Sequence, residues 1–233
     1  MIFVKAIPNL LTLLNLTCGL IGIISVLAGD LKMGSQMIWL AVLFDFSDGF
    51  TARILKAQSE IGKQLDSLAD LVSFGVLPGF IYYQLFSTTG IEPSMLSYSF
   101  IIVPVLSALR LAKFNIDENQ TDEFIGLSTT AHAIFVGSLV FAFLEQESFK
   151  ELLASPNIWL VLMVLGSVLL VSPIRLLALK FKSFSFSDNW IKYLLILISL
   201  IFILTLKAGG LALAIVAYIL LSVIYNLSRN KSS

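Results

Sequence analysis

The sequence predicts an all-α integral membrane protein: a polytopic bundle of about eight transmembrane helices with both termini on the cytoplasmic side. Three observations predict it. Of 233 residues, 58% are hydrophobic and 13% charged, whereas a soluble domain has about 45–50% apolar and about 25% charged residues. Windows of about 19 residues isolate eight apolar segments, at roughly 10–28, 35–55, 64–86, 95–114, 128–145, 157–178, 190–206 and 209–227. With eight crossings, Lys5, Arg53, Lys56, Lys63, Arg110, Lys113, Arg175, Lys180, Lys182, Lys192, Arg229 and Lys231 fall on one side. Only Lys32, Lys150 and Lys207 fall on the other, the asymmetry that sets orientation. An odd number of crossings would scramble that pattern.

The first segment follows Lys5 and superficially resembles a signal peptide, but further apolar segments follow at once, so it reads as a retained span. Cys18, the one cysteine, stands there between Thr17 and Gly19 as a small packed residue and permits no internal disulfide. The second and third segments are broken by acids. Beyond those acids, Pro78 and Gly79 are expected to distort the third helix. The fourth closes on Arg110, Lys113 and Asn115. The fifth carries His132, the one histidine, read as a structural hydrogen-bonding group or an acceptor contact. Trp39, Trp159 and Trp190 stand near segment ends, where an interfacial belt would place them. The last two segments, rich in Phe and Leu, read as lipid-facing walls or a dimer surface. Residues 1–233 thus form a single transmembrane domain, and a net charge of zero excludes a nucleic-acid partner.

The chemistry is concentrated in residues 45–70. Asp45 and Asp48 are spaced i, i+3, and Asp66 and Asp70 i, i+4, so each pair projects from one helix face. The link from Arg53 to Gly62 is short enough to lay the two helices side by side. A charge at bilayer depth costs about 2.5–3.5 kcal/mol, so four acids facing lipid would be prohibitive. They must line a water- or metal-filled cavity. Carboxylates without nearby Cys or His suit Mg²⁺ or Mn²⁺ rather than zinc, and two such ions form a clamp used in phosphoryl chemistry. Gly49 and Ala52, one turn away, remove bulk where a nucleotide could approach, and Arg53 offers a fork of donors that fits a diphosphate. Taken singly, these residues equally describe tight helix packing.

The pattern D-x2-D-G-x2-A-R-x8-G-x3-D-x3-D, complete over residues 45–70, resembles the signature of the CDP-alcohol phosphotransferase family. The resemblance implies that Asp45, Asp48, Asp66 and Asp70 hold two divalent cations, Mg²⁺ or Mn²⁺. Asp45 and Asp66 would touch both ions, and Asp70 would also act as general base. It implies that Gly49, Ala52 and Arg53 line the CDP moiety of a CDP-activated lipid, and that Ser59 contacts the diphosphate. Pro8-Asn9-x2-Thr12, before the first span, is similar to the family's element that closes over the nucleotide. A multi-pass protein of the cell (cytoplasmic) membrane, with its site toward the cytoplasm, and a homodimer are implied likewise.

Three further runs resemble the phosphatidylserine-forming branch of that family: Leu65 to Val76, Ala108-Leu-Arg110-Leu-Ala-Lys113-Phe-Asn115, and Phe124-Ile-Gly126-Leu. Ala178-Leu-Lys180-Phe-Lys182 points the same way. The donor would be CDP-diacylglycerol, the acceptor L-serine, and the products phosphatidylserine and CMP. One departure stands at Ser128-Thr129-Thr130-Ala131, where that branch carries prolines. A zwitterionic acceptor needs a cation for its carboxylate, which makes Arg110, Lys113 and Asn115 the candidate serine pocket; the two cations equally suit interfacial anchors. Glycerol 3-phosphate or inositol phosphate as acceptor would ask for a larger basic cluster. A cation transporter, the alternative from another class, would not require Gly49, Ala52 and Arg53 beside the acids, and no paired, inversely arranged half is evident.

Overall fold

The structure, a computed structural model, describes residues 2–90, 95–116, 123–177 and 185–230. Helix α1 (Ile2–Leu27) turns through Gly29 and Asp30 into α2 (Leu31–Ile54), whose start is capped by Asp30 Oδ1 accepting from Met33 N at 2.8 Å. Helix α3 (Glu60–Asp70) begins at Ser59, whose Oγ accepts from Gly62 N at 3.1 Å. It continues through a π-helical segment, Leu71–Val76, into α4 (Leu77–Thr88). Pro78 explains the widened turns, because without an N–H it cannot close the regular ladder one turn back. A 3₁₀ stretch, Met95–Ile101, leads into α5 (Ile102–Ile116). Then come β1 (Glu123–Ile125), α6 (Thr129–Glu145), α7 (Glu147–Leu152), α8 (Pro156–Val171), β2 (Arg175–Leu177) and α9 (Phe186–Asn230). The two short strands pair antiparallel, Phe124 opposite Leu176.

Among the described residues, four stretches are long and apolar enough to cross a membrane: Ala6–Leu27, Glu60–Thr88, Leu96–Ile116 and Asn189–Leu227. The last, of 39 residues, would extend about 58 Å at 1.5 Å per residue if it were one continuous helix. It is interrupted at Lys207, with φ 51° and ψ −125°, between the seventh and eighth predicted segments. Gln146 Nε2 donates to the Leu206 carbonyl at that break, 2.8 Å away. Helices α6 and α8 are apolar but shorter. Large apolar side chains face outward on several helices, among them Ile24, Leu43, Leu165 and Leu204, while Phe74, Tyr82, Phe86 and Trp159 are wholly enclosed. A continuous exposed apolar surface of this kind is what lipid solvates.

The sixth predicted segment runs too far. Helix α8 ends at Val171 because Pro173 follows: Ser172 is driven to extended backbone (φ −66°, ψ 149°), and the chain enters β2 instead. Trp159 is not part of an interfacial belt; it is enclosed, donates from Nε1 to the Leu153 carbonyl at 2.8 Å, and meets Phe143 edge-on. Trp39 stacks on Phe141, and Trp190 is half exposed. The hydrogen bond expected of His132 is also absent. The ring is fully enclosed against Gly166, 6.3 Å from Tyr82 centroid to centroid, and neither nitrogen has a partner among the described residues. Ser128, at the departure noted above, caps α6 by accepting from Ala131 N at 3.0 Å. The run 178–182 lies outside the described residues.

Candidate active site

The acids converge because α1, α2 and α3 pack as neighbours. The hairpin of α1 and α2 sets the N-terminal half of α1 beside the C-terminal half of α2, and α3 packs back across α1. Gly19 lets the π-helical segment that continues α3 close onto α1: a Cβ there would lie 2.5 Å from Ser73 Oγ and 2.9 Å from Ser73 Cα. The α-helical phases of α2 and α3 then turn their acids toward one another. Carboxylate oxygens of Asp45, Asp48 and Asp66 lie within 4.8 Å of one another. Asp48 is buried, and Asp45 and Asp66 are half-buried.

Among the described residues no cationic side chain forms an ion pair with this trio. The two ion pairs among the described residues, Lys32–Glu145 and Lys150–Glu147, lie elsewhere, and Asp66 Oδ1 is enclosed without a hydrogen-bond partner. An enclosed orphan oxygen in a cluster of hard donors is the fit expected of a divalent cation. Asp70 stands apart from this trio but within electrostatic reach of Asp45 and Asp66. It is buried, and its Oδ1 accepts from Asn15 Nδ2 at 3.0 Å.

Beside the trio opens a cleft of about 460 Å³, the size of a site for a small organic ligand. All six residues assigned to the CDP-lipid line it: Asn9, Thr12, Gly49, Ala52, Arg53 and Ser59. So do Asp48 and Asp66, which sets the acids along one wall. No atom lies within 4 Å of the point where a Cβ on Gly49 would sit, so that glycine opens directly onto the space. Arg53 is exposed. Two assigned residues carry additional duties. Ser59 caps α3, and Thr12 Oγ1 donates to Asp48 Oδ2 at 2.6 Å. The Pro8 carbonyl is also 3.1 Å from that hydroxyl, but its single proton goes to the nearer, charged acceptor.

The three candidate serine-pocket residues separate. Arg110 is buried within electrostatic reach of Asp70. Its Nε donates to the Leu127 carbonyl at 2.6 Å, and its guanidinium lies 5.4 Å from the Phe114 ring centroid. Lys113 is exposed. Asn115 ties α5 to α3, donating from Nδ2 to Ser67 Oγ at 2.8 Å while its carbonyl accepts from Lys63 Nζ at 2.8 Å. Sequence reasoning missed Asn15, Lys63 and Gln58; the latter two line the cleft. A signal for Asn15 existed, a carboxamide inside the apolar run 10–28, three residues after Thr12.

Residues 5–171 match the family profile described as CDP-alcohol phosphatidyltransferase. Curated relatives agree. A protein of Helicobacter pylori (strain J99) named CDP-diacylglycerol–serine O-phosphatidyltransferase is 32% identical over 240 aligned residues, 97% of this chain and 96% of that protein. One of Bacillus subtilis with the same name is 37% identical over 121 residues, 52% of this chain and 67% of its own length. An archaetidylserine synthase of Methanothermobacter thermautotrophicus is 30% identical over 179 residues, 73% of this chain and 69% of its own.

Proposed function

Because the chain belongs to the CDP-alcohol phosphatidyltransferase family, we propose that it transfers the phosphatidyl group of CDP-diacylglycerol to L-serine, giving phosphatidylserine and CMP. The relatives' names support serine as acceptor, including the archaeal one, whose name carries a different lipid but the same serine. The observation that carries the reading is three carboxylates within 4.8 Å of one another, two of them on the wall of the cleft that holds Gly49, Ala52 and Arg53.

Each residue has a task. Gly49 and Ala52 leave room for the nucleotide, Asn9 and Thr12 approach it from α1, and Arg53 and Ser59 serve the diphosphate. Asp45, Asp48, Asp66 and Asp70 would hold two divalent cations, Mg²⁺ or Mn²⁺, which would supply charge neutralisation for the diphosphate and for CMP as leaving group. Asp70 takes the proton of the serine hydroxyl as its oxygen bonds to the phosphorus bearing diacylglycerol and the bond from that phosphorus to CMP breaks. A carboxylate is a weak base at neutral pH, so position rather than basicity carries the step. Arg110, already oriented by the Leu127 carbonyl, receives the serine carboxylate.

The same reading makes the eight apolar segments eight crossings, with both termini and the site on the cytoplasmic side of the cell membrane and α9 available as a homodimer surface. Purified protein in detergent, given CDP-diacylglycerol and Mg²⁺ or Mn²⁺, should release CMP with serine. Release with glycerol 3-phosphate or inositol phosphate instead would overturn the choice of acceptor.

A further inference from the structure

One face of α1 reaches both pairs of acids. Thr12 and Asn15, three residues apart, point the same way. Thr12 Oγ1 donates to Asp48 of the first pair at 2.6 Å, and Asn15 Nδ2 donates to Asp70 of the second at 3.0 Å. Thr12 is 3% and Asn15 0% exposed. Each bond occupies one oxygen of its carboxylate, Oδ2 of Asp48 and Oδ1 of Asp70, and so leaves the other oxygen directed elsewhere. The amide orientation follows from charge, since only the NH₂ end can face a carboxylate. The cost is visible: Asn15 Oδ1 is left enclosed with no partner among the described residues. An apolar side chain would carry no such penalty, so the asparagine is accounted for by its bond to Asp70.

Helix α1 is itself fixed where this matters. The Asn15 carbonyl accepts from Ser73 Oγ at 2.9 Å, and Gly19 lets the π-helical segment close onto α1. Ser73 lies three residues after Asp70, so the same contact that seats α1 also sets the helix carrying that acid.

We propose that Thr12 and Asn15 are positioning residues that aim Asp48 and Asp70 and thereby set divalent-cation affinity and turnover. This rests on the metal-assisted reading above. It gives Thr12 a role through Asp48 besides its place on the cleft wall, and gives Asn15 a role that requires no contact with substrate.

The test uses the full chain in detergent, with Thr12→Val, Thr12→Ser, Asn15→Leu and Asn15→Ala. Mn²⁺ binding is titrated without substrate by electron paramagnetic resonance of the free ion, and kcat and KM for CDP-diacylglycerol are measured at saturating Mn²⁺. Removing a partner that orients a metal ligand costs about 10–100-fold in affinity or activity. We expect a loss of that size in Mn²⁺ affinity for Thr12→Val and in kcat for both Asn15 variants, with KM for CDP-diacylglycerol changed by less than about threefold in the Asn15 variants, whose side chain is off the cleft wall. Thr12→Ser, which keeps the hydroxyl, should recover most of the affinity. If Asn15→Leu does not fold, Asn15→Ala decides; if neither folds, Thr12→Val against Thr12→Ser decides. Unchanged Mn²⁺ affinity and kcat in the folded variants, or a Thr12→Val effect confined to KM, would overturn the proposal. A wild type that neither binds Mn²⁺ nor releases CMP would instead overturn the underlying reading.

Discussion

Asp66→Asn should make the protein more stable and inactive at once. At 4.8 Å two unit charges repel by about 3–4 kcal/mol at an effective dielectric of about 20. Asp66 belongs to two such pairs, with Asp45 and Asp48. Asn has nearly the same shape but no charge, so both repulsions disappear. Asp66 is only half-buried, and solvent screening reduces the gain to about 1–2 kcal/mol. For a chain of this size that corresponds to a rise in Tm of about 2–8 °C. The assay is thermal unfolding in detergent, once with EDTA and once with Mn²⁺. In EDTA the variant should unfold above the wild type. Mn²⁺ should then raise the wild type, because a ligand that binds only the native state stabilises it, and raise the variant much less. CMP release should fall by at least about 100-fold if, as proposed, Asp66 ligates a cation directly. A variant no more stable than wild type in EDTA, or one that Mn²⁺ stabilises equally, would refute the reasoning that these carboxylates are held together against their own repulsion for a cation.

Gly49→Val places methyl groups in open cleft space, so Tm should stay within about 2 °C of wild type while KM for CDP-diacylglycerol rises at least about tenfold; the two are measured on the same preparation. Gly19→Ala sets a Cβ against Ser73 and should cost about 1–3 kcal/mol by overpacking, read as a lower Tm together with a lower kcat, because the displaced helix carries Asp70. Arg110→Ala should raise the serine KM about 10–100-fold, the worth of a charge-assisted contact, with KM for CDP-diacylglycerol unchanged; an unchanged serine KM removes Arg110 from the pocket.

The acid constellation was legible in the sequence because helical periodicity is local. Spacings of three and four place Asp45 with Asp48 and Asp66 with Asp70 on one face wherever the helices go, and the insertion cost of carboxylates forbids those faces to lipid. The apolar segments were legible for the same reason, since a run of nonpolar side chains needs no knowledge of its neighbours. The end of α8 was less so: Pro173 stops the helix, yet the apolar residues beyond it enter β2 and continue the hydrophobic signal. Trp159 shows the limit from another side, as position near a segment end does not say whether the ring turns toward lipid or into the bundle. What only the tertiary structure decided was contact between segments distant in the chain. That α1 carries donors for Asp48 and Asp70, and that Arg110 hangs from the Leu127 carbonyl within reach of Asp70, depends on which helix faces meet. Those meetings are set by close packing at Gly19 and at the π-helical turns after Asp70, and a spacing rule within one helix carries no information about the surface that will press against it.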